Sequence, residues 1–87
     1  MTEQTPLPKV FVDFNNSDRQ GRVRLNTVGT IEDLSSLGII LHEGAKLILC
    51  SFELESVGTV TYSAEEGLWV AGVEWNNIRK LPGNDLP

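Results

Sequence analysis

Three observations predict a small, mainly β domain, an SH3-like barrel of five short antiparallel strands with one short helix between the second and third. Apolar and polar residues alternate at a spacing of two along several short runs, the periodicity of strands. Glycines stand at the ends and inside these runs, where a small barrel needs turns and corners. Only one segment, residues 30–37, repeats its apolar residues at helical spacing. Short strands with glycine corners and no long apolar helix close most readily into a small barrel. An OB-fold-like barrel is the alternative, although that fold usually carries its helix between the third and fourth strands.

Residues 9–14 (KVFVDF) place Val10, Val12 and Phe14 on one face and Lys9, Phe11 and Asp13 on the other. Residues 15–20 (NNSDRQ) are loop formers. Residues 21–26 (GRVRLN) alternate again, with Val23 and Leu25 inward and Arg22 and Arg24 outward. An antiparallel hairpin that pairs residue 14 with 21 sets Val12 opposite Val23 and Phe11 opposite Arg24. Residues 30–37 (TIEDLSSL) predict a two-turn helix. Thr30 serves as its cap, Ile31, Leu34 and Leu37 as its apolar stripe, and Gly38 as the left-handed residue past its end.

Residues 38–44 predict a short extended segment ending in a turn at Glu43–Gly44. Residues 46–52 (KLILCSF) are apolar on both alternating faces, the pattern of a strand covered on two sides. Residues 57–62 and 68–75 predict a hairpin around Ala64-Glu65-Glu66-Gly67. Its register sets Ser63 against Leu68, Tyr62 against Trp69, Val60 against Ala71 and Gly58 against Val73, with the last three pairs facing the core. Residues 76–79 predict a closing helical turn. The domain is expected over residues 9–81, between polar, proline-bearing tails at 1–8 and 82–87.

The chain has 87 residues, enough for one small domain. Twelve acidic and seven basic side chains give a net charge of -5. That balance disfavours nucleic acid and anionic membranes, which bind through excess Lys and Arg. No apolar run approaches the ~20 residues that span a bilayer, and no secretory leader pattern opens the chain. The single cysteine, Cys50, excludes an intrachain disulfide. A cytoplasmic location is the expectation.

The runs KVFVDFNNSDRQGRVRLNTVGTIEDL, LHEGAKLIL and GLWVAGVEWNNIR resemble a group of small uncharacterised bacterial proteins. The resemblance covers residues 9–79 and is one of sequence style, without a catalytic signature. It implies a small β-rich cytoplasmic protein and carries no activity with it.

The residues point away from catalysis. His42 is the only histidine and has no nucleophile motif beside it. Cys50 falls inside an apolar strand, where a thiol is an inert small hydrophobe. Glu65–Glu66 sit at a hairpin tip, too wet to raise a carboxyl pKa for acid catalysis. Asp13-x-Asn15-x-Ser17 imitates the start of a calcium loop, but Asp18 stands where a glycine is needed and Arg24 where a bidentate glutamate is needed. No glycine loop fits a phosphate. The expectation is a non-enzyme without cofactor or metal.

The charge pattern directs attention to surfaces. Arg19, Arg22 and Arg24 cluster in one segment, whereas residues 47–78 contain five glutamates and no Lys or Arg. Phe11, Arg22 and Arg24 on the outer face of the first hairpin form a candidate interaction patch for an acidic protein partner, or for a second copy meeting an edge strand. The expected function is therefore a protein-interaction module or accessory subunit. The alternative is a barrel that binds a small ligand or single-stranded nucleic acid on Tyr62, Trp69 and Trp75.

Overall fold

The computed structural model describes residues 7–81. The expected tails lie outside those residues apart from Leu7 and Pro8, and Pro8 already belongs to the sheet, its carbonyl accepting the Ile48 N–H at 2.8 Å. The described residues form β1 (Lys9–Phe11), β2 (Val23–Arg24), α1 (Val28–Leu37), β3 (Lys46–Cys50), β4 (Leu54–Ser63), β5 (Leu68–Val73), a 3-10 turn (Trp75–Asn77) and β6 (Arg79–Lys80). The strands make one sheet, curled into a half-barrel, in the order β1-β3-β4-β5-β2 with β6 on the start of β4. The mainly β class and the single helix between the second and third strands are as predicted.

Two features of the predicted barrel are corrected. Among the described residues it has six strands rather than five, because the chain after the 3-10 turn extends and pairs Arg79 with Glu55 and Lys80 with Leu54. It is also not wholly antiparallel, because β1 runs parallel to β3, with Phe11 beside Cys50 and Lys9 beside Ile48. The expected first hairpin therefore does not form between residues 9–14 and 21–26. Instead Asp18 folds a tighter turn, its Oδ1 accepting the N–H groups of Gln20 and Arg22 at 2.9 Å each. Ser17 then bridges Val23, and the Arg24 N–H reaches the Asn16 carbonyl.

The inward face is the one that alternation specified. Val10, Val12, Phe14, Val23, Leu25, Leu47, Leu49, Val60 and Ala71 make the core, and the β4–β5 register agrees at all four predicted pairs. Gly67 takes the left-handed conformation that closes that hairpin, with φ +72°. Gly58 is small for a packing reason, since a Cβ there would lie 2.6 Å from Leu49 Cδ1. Tyr62 departs from the expected core, and both Tyr62 and Trp75 remain nearly half exposed. Trp69 does pack against the core.

The helix starts earlier and faces differently from the prediction. Thr27 is its cap, accepting the Thr30 N–H, and Gly38 ends it at φ +68°. Thr30 is fully buried, whereas Ile31 and Leu37 are 54% exposed. The docking contacts are polar and close. The Thr30 hydroxyl donates to the Phe11 carbonyl at 2.6 Å, and the Phe11 N–H donates to Asp33 Oδ2 at 2.8 Å. Gly29 admits the Phe11 ring, where a Cβ would come within 2.7 Å. The helix thus satisfies both outward backbone groups of Phe11 on β1, which would otherwise be open to another strand.

Candidate interaction surface

The expected patch of Phe11, Arg22 and Arg24 is divided between the two ends of the sheet path. Phe11 lies on β1 beside Cys50, and Arg24 lies on β2 beside Val70. Both arginines hold carboxylates of their own chain. Arg22 Nε donates to Asp18 at 2.8 Å, and Arg24 meets Glu66 in two prongs of 2.7 and 2.9 Å. Arg19 stands 3.7 Å from Glu65. The basic loop and the acidic hairpin tip, far apart in sequence, thus face each other inside one molecule.

The electrostatics follow from these contacts. Burial pushes the Asp18 carboxyl up, but hydrogen bonds from Arg22 and Gln20 outweigh it and hold the group below its ordinary value. The Arg24 hydrogen bonds lower Glu66. The Glu43 carboxyl is lowered mainly by the Tyr62 N–H, which it accepts at 2.7 Å, and by the Thr61 hydroxyl. Glu43 thereby continues the hydrogen bonding along β4 beyond the point where β3 begins.

Tyr62, Trp69 and Trp75 do not form one platform. Tyr62 and Trp69 meet edge to face at 5.1 Å. Trp75 packs on Phe14 and donates its indole N–H to the Gly21 carbonyl at 2.8 Å. Trp69 is near the start of β5, whereas Trp75 lies past its end, in the 3-10 turn. Cys50 is half-buried. Burial raises its thiol pKa, and Sγ lies 3.5 Å from the Val10 carbonyl. His42 sits next to the Glu43–Gly44 turn, its Nδ1 3.2 Å from the Glu43 carbonyl oxygen. Among the described residues no three His, Cys, Asp or Glu side chains gather as metal ligands, and no helix is long and apolar enough to cross a membrane.

A different surface emerges on the outer face of β1, β3, β4 and β6. The pairings Phe11–Cys50–Glu55–Arg79 form one row across the four strands, and Lys9–Ile48–Val57 form the next. An open cleft of about 280 Å³ lies there, lined by Ile48, Glu55, Ser56, Val57, Asn77 and Arg79. Glu55 bonds to Arg79 at 2.6 Å and lies 3.1 Å from Lys9, and these contacts, Arg79 first, lower its pKa. Two cations thus share one carboxylate. Lys46, on the same face, donates to the Thr59 hydroxyl rather than to an acid. Phe52 is 80% exposed next to this surface, its ring 5.5 Å from that of Phe11.

Of this surface, sequence reasoning placed only Phe11 in an interaction patch and read Cys50 as an inert thiol in an apolar strand. The available signal was the apolar character of residues 46–52 on both faces, which predicted cover on two sides. Leu47 and Leu49 receive that cover, while Ile48 is only partly buried and Val57 opposite it is 50% exposed. No family model matches this chain, and comparison with curated proteins and with solved structures yields no match.

Proposed function

We propose that this domain is a protein-interaction module whose partner covers the outer face of β1, β3, β4 and β6. One observation carries this: β3 has the composition of a doubly covered strand, but its outward Ile48 faces an open cleft beside half-exposed Val57. Exposed apolar surface rimmed by polar groups is characteristic of a protein contact. The rim carries both signs: Lys9 and Arg79 share Glu55, Lys46 meets no carboxylate among the described residues, and Glu74 bonds to the cleft-lining Asn77.

The test is affinity capture with the wild type, Val57→Asp, and Arg22→Glu/Arg24→Glu, each checked for folding by thermal melt. A partner retained by the wild type and the arginine variant but lost with Val57→Asp supports the outer face. A partner lost only with the arginine variant moves the surface to the first loop and overturns this assignment.

A further inference from the structure

We infer that β6 is a strap held across the start of β4 by Glu55, and that protonating Glu55 releases it and bares the outward backbone of Glu53 and Glu55. The register marks β6 as a separate unit. Gly58 pairs with Val73 and Glu55 with Arg79, so three steps along β4 face six along its partner. The extra residues loop out as the 3-10 turn Trp75–Asn77. β6 thus resumes the edge that β5 occupies, but only after an interruption of the ladder. The turn itself is pinned, because Trp75 packs on Phe14 and donates to the Gly21 carbonyl, and Ile78 packs against the core. Beyond Ile78 both strand residues are exposed.

Few bonds hold the strap. Leu81 donates its N–H to the Glu53 carbonyl at 2.8 Å, and by alternation Arg79 exchanges backbone bonds with Glu55. Among the described residues the only side-chain hydrogen bond or ion pair made by β6 is that of Arg79 to Glu55, at 2.6 Å. The titratable groups facing Glu55 are Lys9 from β1 at 3.1 Å, the Cys50 thiol paired with it on β3, and Arg79. Glu74, before the turn, accepts from Asn77 instead. Arg79 and then Lys9 favour the charged carboxylate and hold it below its ordinary value while the strap is closed. Opening removes Arg79, so the open form takes up a proton at higher pH than the closed form. The closed form is therefore favoured above the ordinary glutamate value and loses that advantage as pH falls through the lowered one. A short ladder of this kind opens without unfolding the core.

Amide hydrogen exchange of the full chain, followed by NMR and expressed as protection relative to the unstructured rate at each pH, tests this. Arg79 and Leu81 report the strap, and Val60, bonded to Ala45, reports the core. Strap protection in the wild type should fall roughly two- to fivefold between about pH 7 and about pH 4, the range for a partly exposed ion pair. Glu55→Gln and Arg79→Met should show the lowered strap protection already at pH 7, with little further fall and with Val60 still protected. Lys9→Met leaves the Arg79 pair intact and should keep the strap closed at pH 7. Strap protection that ignores pH in the wild type, that still falls with pH in Glu55→Gln, or that matches Val60 in every chain would overturn the inference. So would loosening by Lys9→Met as great as that by Arg79→Met.

Discussion

Arg24 and Glu66, 42 positions apart, meet in a two-pronged ion pair of 2.7 and 2.9 Å that ties β2 to the tip of the β4–β5 hairpin. Arg24 is also paired with Val70, a fully buried residue on the outer face of β5. Its aliphatic stem thus serves as cover as well as carrying charge. Arg24→Met keeps the stem and removes the charge, whereas Arg24→Ala removes both. Thermal melts should place Arg24→Met close to the wild type and Arg24→Ala clearly lower. Equal losses would assign the whole effect to the ion pair. High salt should narrow the gap between the wild type and Arg24→Met.

Docking of the helix rests on Thr30 and on Leu34, which packs against the core, and not on exposed Ile31. Thr30→Val preserves shape and deprives the Phe11 carbonyl of its donor, at a cost of roughly 1–3 kcal/mol. Ile31→Ala, at an exposed position, should stay within about 0.5 kcal/mol of the wild type. Urea melts of the two variants check this order, and a reversal would restore the helical stripe expected from spacing.

Gly58 faces Leu49 and Ala71 at distances that leave no room for a methyl group. Gly58→Ala should destabilise by about 1–3 kcal/mol through overpacking. Adding Leu49→Val, which trims the clashing branch, should recover part of that loss. A double variant as unstable as the sum of the single ones would show that strain at Gly58 has another origin.

Asp18, Glu43, Glu55 and Glu66 all have lowered pKa values in the folded chain. The unfolded chain therefore takes up protons first as pH falls, so the stability these groups contribute is fully present above their ordinary values and lost on acidification through the folded ones. The melting temperature should be nearly flat from pH 8 to about 5 and fall below about 4.5, near the ordinary glutamate value. Glu43→Gln should shallow the acid limb, and a melting temperature unchanged down to pH 3 would contradict all four assignments.

Much of the local structure was legible because it depends on near neighbours. Alternation placed Val10, Val12, Val23, Leu25 and Val60 on the buried face, and Gly67 with its four-residue loop set the β4–β5 register. The helix boundary was misplaced by a few residues, since Thr27 and Thr30 are both capping residue types and only packing against Phe11 buries the second. The candidate patch was harder to read. An outward arginine looks the same in sequence whether a partner or the chain's own Glu66 neutralises it.

By itself, then, the sequence determined the β class, the inward face of each strand, the second hairpin and the absence of a bilayer-length apolar run. Those properties follow from periodicity and turn chemistry, which act over a few residues. Tertiary structure alone decided that β1 lies parallel to β3, that the first-loop arginines are neutralised within the molecule, and that Ile48 and Val57 line an open cleft. Alternation states which side of a strand is buried, but not which strand lies beside it. The partner is set by closure of the whole sheet, through contacts between residues tens of positions apart.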